Sequence, residues 1–287
     1  MSTVGDVMTR SVVTLRPESS LIQARDLMQT HNIARIVVVD EDYRPKGIVT
    51  QKDVIRVALA DSTQRDLKEI SVSEAMTSEL IVVKPETSIS ECAKILVEHG
   101  ISSLIIVDAD GKLQGIITKS DLCRHFGEAF RGLFKVKDAM TTDVITVGPT
   151  HSIFKVINLM NENNVNRIVV TRDNVPTGIV TTSDITLASA VLNPLKVLHR
   201  EPLAILLTPK KGIIVKPTLG TVMFLTARDL MTSKLITVNA EDDLGSAARI
   251  MTDRHISGLP VVGDAGELVG IVTKTDVVKT LSNAPPT

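Results

Sequence analysis

The chain is poor in aromatic residues and in cysteine. Only 2% of its 287 residues are aromatic and none is Trp, which removes the stacking platforms on which proteins bind single-stranded nucleic acid. Two cysteines, Cys92 and Cys123, are too few for a disulfide framework or a cysteine-rich metal knuckle. The sequence therefore predicts no nucleic-acid partner and no metal site.

An excess of charge and long hydrophobic runs are also missing. The formal net charge is −1, so general electrostatic attraction to nucleic acid or to a membrane surface is not expected. No apolar run approaches the roughly 20 residues that cross a bilayer, and the first residues lack the basic and then apolar pattern of a secretory signal. We expect a globular, cytoplasmic protein without a membrane partner.

A seven-residue phrase of the form Gly-h-h-Thr-x-x-Asp, where h is apolar, occurs four times. A Met-Thr pair stands upstream of each phrase, and the distance from its Met to the Gly is 38 or 39 residues. Spacing this regular predicts four copies of one supersecondary unit. The phrases occupy residues 47–53, 115–121, 178–184 and 270–276, and the pairs begin at Met8, Met76, Met140 and Met231.

Each copy has the pattern strand, helix, strand, strand, helix. In the first copy, the β-branched run 12–15 predicts a strand, Ser20 and Gln23 form a capping box that begins a helix, and two further strands precede a second helix from Gln51. One such unit would expose an apolar sheet face and an apolar helix stripe, so it cannot be stable alone. We predict an α+β fold in which four βαββα units are paired into two modules.

Extra residues lie between the third and fourth copies. Within 192–226, two apolar runs at 203–207 and 213–215 flank a basic turn, which predicts a hairpin. We expect a structural ribbon that covers a sheet edge or an oligomer contact, and a regulatory or partner-docking role is the alternative.

The repeated Thr-x-x-Asp has two interpretations. It is a capping box at the start of a helix, which alone explains a Thr and an acid three residues apart. It also suits a ligand site, because a helix N-terminus attracts anions, a Thr hydroxyl can donate to a phosphate or sugar oxygen, and an Asp can accept from two ribose hydroxyls. Basic residues that follow in three copies favour a nucleotide with few phosphates. The candidate residues are Thr50, Asp53, Thr118, Asp121, Thr181, Asp184, Thr273, Asp276, Lys52, Lys119 and Lys274.

The Met-Thr pairs, the element order and the four phrases together resemble the cystathionine-β-synthase-type domain, or CBS domain. The resemblance covers residues 4–60, 72–126, 136–191 and 227–282. It implies Bateman modules of two tandem units, with adenosyl ligands such as AMP, ADP, ATP or S-adenosylmethionine in the clefts between units. It also implies that the four Asp residues bind ribose with their partner Thr residues. Apolar positions of the first strands would lie near the adenine: Val13, Ile81, Ile145 and Ile236.

The four-unit layout is similar to that of the gamma subunits of AMP-activated protein kinase. In that layout the middle strand often starts with a phosphate-binding arginine. Copies one and three have Arg35 and Arg167 at this position, whereas copies two and four have Ser103 and Gly258. The resemblance therefore implies sites that are not equivalent, with one strong site per module.

These features predict a regulatory adenine-nucleotide sensor that binds AMP, ADP or ATP and acts on an unidentified partner protein. Two alternatives stay open: an interaction scaffold without ligand, and a module that binds S-adenosylmethionine. An enzyme is not expected, because no activated nucleophile or redox centre can be argued from the chain. The sequence leaves open whether modules assemble within one chain or in a homodimer.

Overall fold

All four repeats fold into the same unit in the computed structural model, which describes residues 2–60, 65–189, 205–206, 214–215 and 225–285. Each unit begins with a short helical turn, here called the lead turn. The first strand, the first helix, the middle strand, the last strand and the last helix follow in that order. The first strand pairs in parallel with the middle strand, which pairs antiparallel with the last. The predicted α+β class and element order are confirmed.

Units 1 and 2 form the N-terminal half. Their first strands have two residues each, shorter than the predicted run 12–15, and the lead turns were not predicted. Unit 1 comprises Val4–Val7, Thr14–Leu15, Leu21–Thr30, Arg35–Val39, Pro45–Thr50 and Gln51–Ala60. Unit 2 comprises Val72–Ala75, Val82–Val83, Ile89–Glu98, Ser103–Val107, Leu113–Thr118 and Lys119–Ala129.

Units 3 and 4 repeat this order, and the lead turn of unit 3 is a 3-10 helix. Between them, Ile205–Leu206 pairs antiparallel with Ile214–Val215. The rest of the predicted ribbon, at 192–204, 207–213 and 216–224, lies outside the described residues. Unit 3 comprises Val136–Asp138, Thr146–Val147, Ile153–Glu162, Arg167–Arg172, Val175–Thr181 and Thr182–Ser189. Unit 4 comprises Ala227–Leu230, Val238–Asn239, Leu244–Asp253, Gly258–Val262, Leu268–Thr273 and Lys274–Asn283.

The first helices begin where a short polar side chain caps them. Ser20 accepts from the backbone N–H of Gln23, whose side chain bonds back to Ser20, so the predicted capping box is present. Ser88, Ser152 and Asp243 cap the other three first helices by accepting from the backbone N–H three residues on. Each first helix then buries the apolar stripe that its sequence carries, because residues three and four apart share one face.

Units pair through contacts between the Met-Thr pair of one unit and the seven-residue phrase of the other. Backbone bridges join Thr9 of unit 1 to Ile116 of unit 2, and Thr77 of unit 2 to Ile48 of unit 1. The sheets pack face to face behind these bridges, for example through Val37 and Ile105. The matching bridges Thr141–Ile271 and Thr232–Ile179 join units 3 and 4. Units 1 and 2 therefore form one module, module 1, and units 3 and 4 form module 2.

The modules meet through their helices. The helices of units 2 and 4 share one continuous buried core, in which Gly127 lies against the helix of Gly245. Units 1 and 3 meet through their last helices, where the Ser183 hydroxyl donates to Gln51 Oε1 at 2.9 Å. The described residues thus form two module junctions, one between units 2 and 4 and one between units 1 and 3.

Within the described ranges, no helix combines the length and the apolar character needed to cross a membrane.

Candidate functional site

The four repeated Thr/Asp pairs all cap the last helix of their own unit. In unit 4, Asp276 Oδ2 accepts from the Thr273 backbone N–H at 2.8 Å and from the Thr273 hydroxyl at 2.7 Å. Units 1, 2 and 3 make the same two bonds at 2.7–2.9 Å. The structure therefore shows the capping box in all four units. Each Thr hydroxyl donates its proton to the Asp of its own unit.

The second carboxylate oxygen distinguishes the units. Arg56 Nη2 donates to Asp53 Oδ1 at 3.1 Å in unit 1, and Arg124 Nη1 lies 3.5 Å from Asp121 Oδ1 in unit 2. In the part of the chain that the structure describes, no hydrogen bond reaches Asp276 Oδ1. Unit 4 therefore keeps an acceptor for a ligand hydroxyl.

A cleft of about 330 Å³ lies between units 3 and 4. This volume is at the lower end of the roughly 300–1,000 Å³ of small-molecule sites. Unit 4 contributes Thr273 and Asp276 from the start of its last helix. Unit 3 contributes Arg167 and an apolar wall that contains Val144 and Ile145. The cleft thus joins an acceptor, a cation and an apolar surface from two units.

Arg167 is the buried cation of this cleft. Its Nη1 is buried, and no described residue accepts a hydrogen bond from it. Burial lowers the pKa of Arg167 to about 10, against the opposing effect of the Asp276 charge. The guanidinium is therefore still charged at neutral pH. A buried charged donor without an acceptor is costly, so its retention indicates an anionic ligand.

Gly258 makes room for this arginine. A Cβ atom built on Gly258 would collide with Arg167 Nη1 and lie 3.3 Å from Arg167 Cδ. The two residues occupy the matching position of the two units, at the start of the middle strand. The glycine of unit 4 is thus the counterpart of the arginine of unit 3.

Arg35 repeats the arrangement in module 1. Its Nη1 is also buried, and none of the described residues accepts from it. Burial lowers the pKa of Arg35 to about 10, and the charge of Asp121 in unit 2 opposes this shift. Each arginine is therefore coupled to the aspartate of the partner unit and not to that of its own. We call the pocket with Asp276 the Arg167 cleft, and we use the name Arg35 cleft for the equivalent position in module 1, where Arg35 is coupled to Asp121.

The predicted lysines have different surroundings. Lys52 is exposed on the last helix of unit 1. Lys119 donates from Nζ to the Thr275 hydroxyl at 3.0 Å, and Lys274 donates to the Ser120 hydroxyl at 2.8 Å. Both bonds cross the junction between units 2 and 4.

The structure places one of the four predicted adenine-contacting residues in the described cleft, beside the phrase residues of unit 4. Ile145 lines the Arg167 cleft. Val13 and Ile81 are partly buried against the apolar cores, and Ile236 is 37% exposed. The sequence analysis did not assign Thr141 or Asn166 to the site, and both line the cleft. The recurrence of Met-Thr was the available signal for Thr141.

Groups of three or more His, Cys, Asp or Glu that could hold a metal ion are absent among the described residues.

A model of the CBS domain matches residues 4–60, 72–128, 136–190 and 227–283. The chain belongs to the CBS domain family, with four CBS domains paired in two Bateman modules. CBS-domain proteins are regulatory and bind adenosine-containing ligands.

Similar proteins share all or part of this layout. The uncharacterized protein MJ1404 of Methanocaldococcus jannaschii is 29% identical over 98% of this chain and 62% of its own length. The uncharacterized protein MK0525 of Methanopyrus kandleri is 33% identical over 42% of this chain and 60% of its own. The matches thus span about three fifths of these relatives.

The overall layout is also found in solved structures. Protein MJ1225 of Methanocaldococcus jannaschii, described as a proposed archaeal homolog of g-AMPK, matches with a TM-score of 0.78 at 22% identity. The match covers 97% of this chain and 99% of that one. At this identity the likeness establishes the shared four-unit fold.

Proposed function

We propose that this protein is an adenine-nucleotide sensor that binds AMP, ADP or ATP in the Arg35 and Arg167 clefts. The observation that carries the proposal is the pair of buried, charged Nη1 atoms that lack an acceptor among the described residues. A phosphate group supplies an acceptor with the right charge, and a planar guanidinium suits phosphate oxygens. Membership in a family that binds adenosine-containing ligands supports the same class of ligand.

The other parts of the cleft fit the rest of a nucleotide. Asp276 would accept from ribose hydroxyls through Oδ1, because Oδ2 already serves the helix cap. The apolar wall with Val144 and Ile145 would contact the base. By correspondence of the repeats, Asp121 and Val13 would serve the Arg35 cleft. Thr118 and Thr273 would act by holding these carboxylates in place.

The clefts of Asp53 and Asp184 are proposed as the weaker sites. Their partner units carry Ser103 and Gly258 where the other clefts have arginine. Arg56 also holds Asp53 Oδ1 at 3.1 Å and donates to the Ala75 carbonyl at 2.9 Å, whereas the corresponding contact of Arg124 with Asp121 Oδ1 is longer, at 3.5 Å. Asp276→Ala should therefore remove one AMP site, whereas Asp184→Ala should leave AMP binding close to that of the parent protein.

The proposed role is regulation of a partner protein and not catalysis. Burial raises the pKa of the Cys92 and Cys123 thiols to about 12, so neither is a thiolate nucleophile at neutral pH. A ligand that bridges two units can shift their packing only if it binds one arrangement more tightly. The clefts lie between units, where such a difference in affinity can arise.

Isothermal titration calorimetry of the ligand-stripped protein with AMP, ATP, adenosine and S-adenosylmethionine tests the proposal. We expect saturable AMP binding at two sites, weaker adenosine binding, and loss of one AMP site in each of Arg35→Met and Arg167→Met. Arg44→Met, on an exposed turn, is the matched control. Tight S-adenosylmethionine binding that is unchanged in Arg35→Met and in Arg167→Met would support the alternative ligand.

The ligand-free scaffold is the second candidate, because all four Thr/Asp pairs already have a capping role. Failure of all four ligands to bind the folded protein would leave capping as the sole role of these pairs. The sensor proposal would then be wrong.

A further inference from the structure

Two lysines cross the junction between units 2 and 4 in opposite directions. Lys119 of unit 2 donates to Thr275 of unit 4, and Lys274 of unit 4 donates to Ser120 of unit 2. Thr275 lines the Arg167 cleft, which belongs to module 2. Lys119, a residue of module 1, therefore reaches the edge of a cleft in module 2.

The charges that act on each lysine come from both modules. Burial lowers the pKa of Lys119, the charge of Arg35 in module 1 lowers it further, and the charge of Asp276 in the Arg167 cleft opposes the shift. Burial also lowers the pKa of Lys274, the charge of Arg167 in module 2 adds to the shift, and that of Asp121 in unit 2 opposes it. Each lysine therefore lies between the arginine of its own module and the carboxylate of the opposite module.

The junction carries more positive than negative charge. Arg35, Arg167, Lys119 and Lys274 are all at least partly buried, and the buried carboxylates of the clefts are those of Asp121 and Asp276, whereas Asp143 lines the Arg167 cleft but is exposed. Like charges at close range in a poorly hydrated site repel one another strongly. Two phosphate groups, one per cleft, would remove this positive excess.

Among the described residues, the other junction is built from different groups. Between units 1 and 3, Gln51 occupies the position of Lys119, and its contact with Ser183 is between neutral groups. The clefts that face this junction have Ser103 and Gly258 in place of arginine. The two units that have a lysine at this position are therefore the two whose aspartates belong to the clefts with an arginine.

We propose that Lys119 and Lys274 bind ligand phosphate in the cleft of the opposite module, Lys119 in the Arg167 cleft and Lys274 in the Arg35 cleft. This inference rests on the proposed nucleotide function. On binding, each ammonium exchanges its hydroxyl partner for a phosphate oxygen, a stronger acceptor. A nucleotide in either cleft then ties the two modules together at the junction of units 2 and 4.

The test isolates one cleft at a time in the full chain. Asp121→Ala leaves the Arg167 cleft intact, and Asp276→Ala leaves the Arg35 cleft intact. AMP affinity is measured by calorimetry in each parent after addition of Lys119→Met or Lys274→Met. Gln51→Met, at the matching position of unit 1, is the control. If an Ala parent fails to fold, Asp→Asn replaces it, because an amide oxygen can still accept the cap bonds.

In the Asp121→Ala parent we expect Lys119→Met to weaken AMP binding about tenfold, as for loss of one hydrogen bond to a charged group, and Lys274→Met to change it less than about twofold. The Asp276→Ala parent should show the reverse. Adenosine, which lacks phosphate, should bind equally well to all variants, and a general loss of structure would not produce that contrast.

Three results would overturn the inference while leaving nucleotide binding in place. In the first, each lysine substitution weakens AMP binding in the cleft of its own unit. In the second, both substitutions weaken AMP binding equally in both clefts. In the third, neither substitution changes AMP affinity. If the two parents and the wild-type protein bind no AMP at all, the proposed function itself fails and the inference falls with it.

Discussion

The side chain of Met140 occupies the space that a Cβ atom on Gly270 would need, across the interface of units 3 and 4. A Cβ built on Gly270 would be 2.8 Å from Met140 Sδ and 3.1 Å from the Thr141 carbonyl oxygen. Met8 lies in the same way against Gly115, where a built Cβ would be 2.7 Å from Met8 Sδ. The first residue of one repeated phrase thus packs on the first residue of the other, in the partner unit.

Gly270→Val should therefore loosen the pairing of units 3 and 4. The methionine can turn aside, but the Thr141 carbonyl is backbone and also part of the Thr141–Ile271 bridge. We expect a loss of about 1–3 kcal/mol in the free energy of unfolding, as for overpacked cores, measured by urea denaturation. Met140→Ala combined with Gly270→Val should cost less than the sum of the single changes. Simple additivity would show that the two residues are not coupled.

The repeat architecture was predictable from the sequence, but the pairing of its phrases was not. Strand and helix order follows from local periodicity and caps such as Ser20 and Gln23, which act within a few residues. Met140 and Gly270 are distant in sequence, and only the packing of one unit on the other brings them together. For the same reason, Arg35 is coupled to Asp121 and not to Asp53 of its own unit.

The lysines show the same limit of local reasoning. Lys52, Lys119 and Lys274 all follow a phrase threonine, so the sequence treats them alike. Lys52 stands one position later and is exposed, whereas Lys119 and Lys274 face the opposite module across a junction. That junction depends on close helix packing between units 2 and 4, which no single repeat encodes.

Gly258→Val should displace the Arg167 guanidinium, because a Cβ at this position collides with Nη1. We expect AMP affinity of the Arg167 cleft to fall about tenfold in calorimetry, while adenosine affinity changes little. The Asp121→Ala parent isolates this cleft. In an Arg167→Met background the glycine substitution should have no further effect on AMP binding. A further loss there would show that Gly258 acts independently of the arginine.

Gly127→Ala should destabilise the junction of units 2 and 4 even though alanine favours helices. The gain in helix propensity is about 1 kcal/mol. A Cβ at Gly127 would, however, lie 2.9 Å from the Gly245 carbonyl oxygen and 2.6 Å from Arg249 Cγ. Because the carbonyl belongs to the facing backbone, we expect a net loss of about 1–2 kcal/mol in urea unfolding.

The control for Gly127→Ala is Glu128→Ala, one residue along the same helix and exposed. It should change the unfolding free energy by less than about 0.5 kcal/mol. A Gly127→Ala protein that is more stable than wild type would mean that the helices can separate without cost.

Asp243 links the two modules through a helix cap that titrates. Its carboxylate accepts from the Ser246 N–H at 2.7 Å and from the Gly132 N–H, beyond the last helix of unit 2, at 2.8 Å. Partial burial raises the pKa of Asp243, but these hydrogen bonds outweigh it and lower the pKa below the usual 3.8. The unfolded chain therefore binds this proton more tightly than the folded one.

The stability that Asp243 contributes should consequently be present in full above pH 3.8 and be lost as the pH falls through the lower, folded-state pKa. At pH 7 we expect Asp243→Ala to cost about 1–2 kcal/mol, as for loss of an N-cap. The difference from wild type should shrink toward pH 2–3 in urea unfolding. Ser152→Ala removes an uncharged cap of unit 3, so its cost should not vary over this range. If the cost of Asp243→Ala also stays constant, the carboxylate charge has no part in the link between the modules.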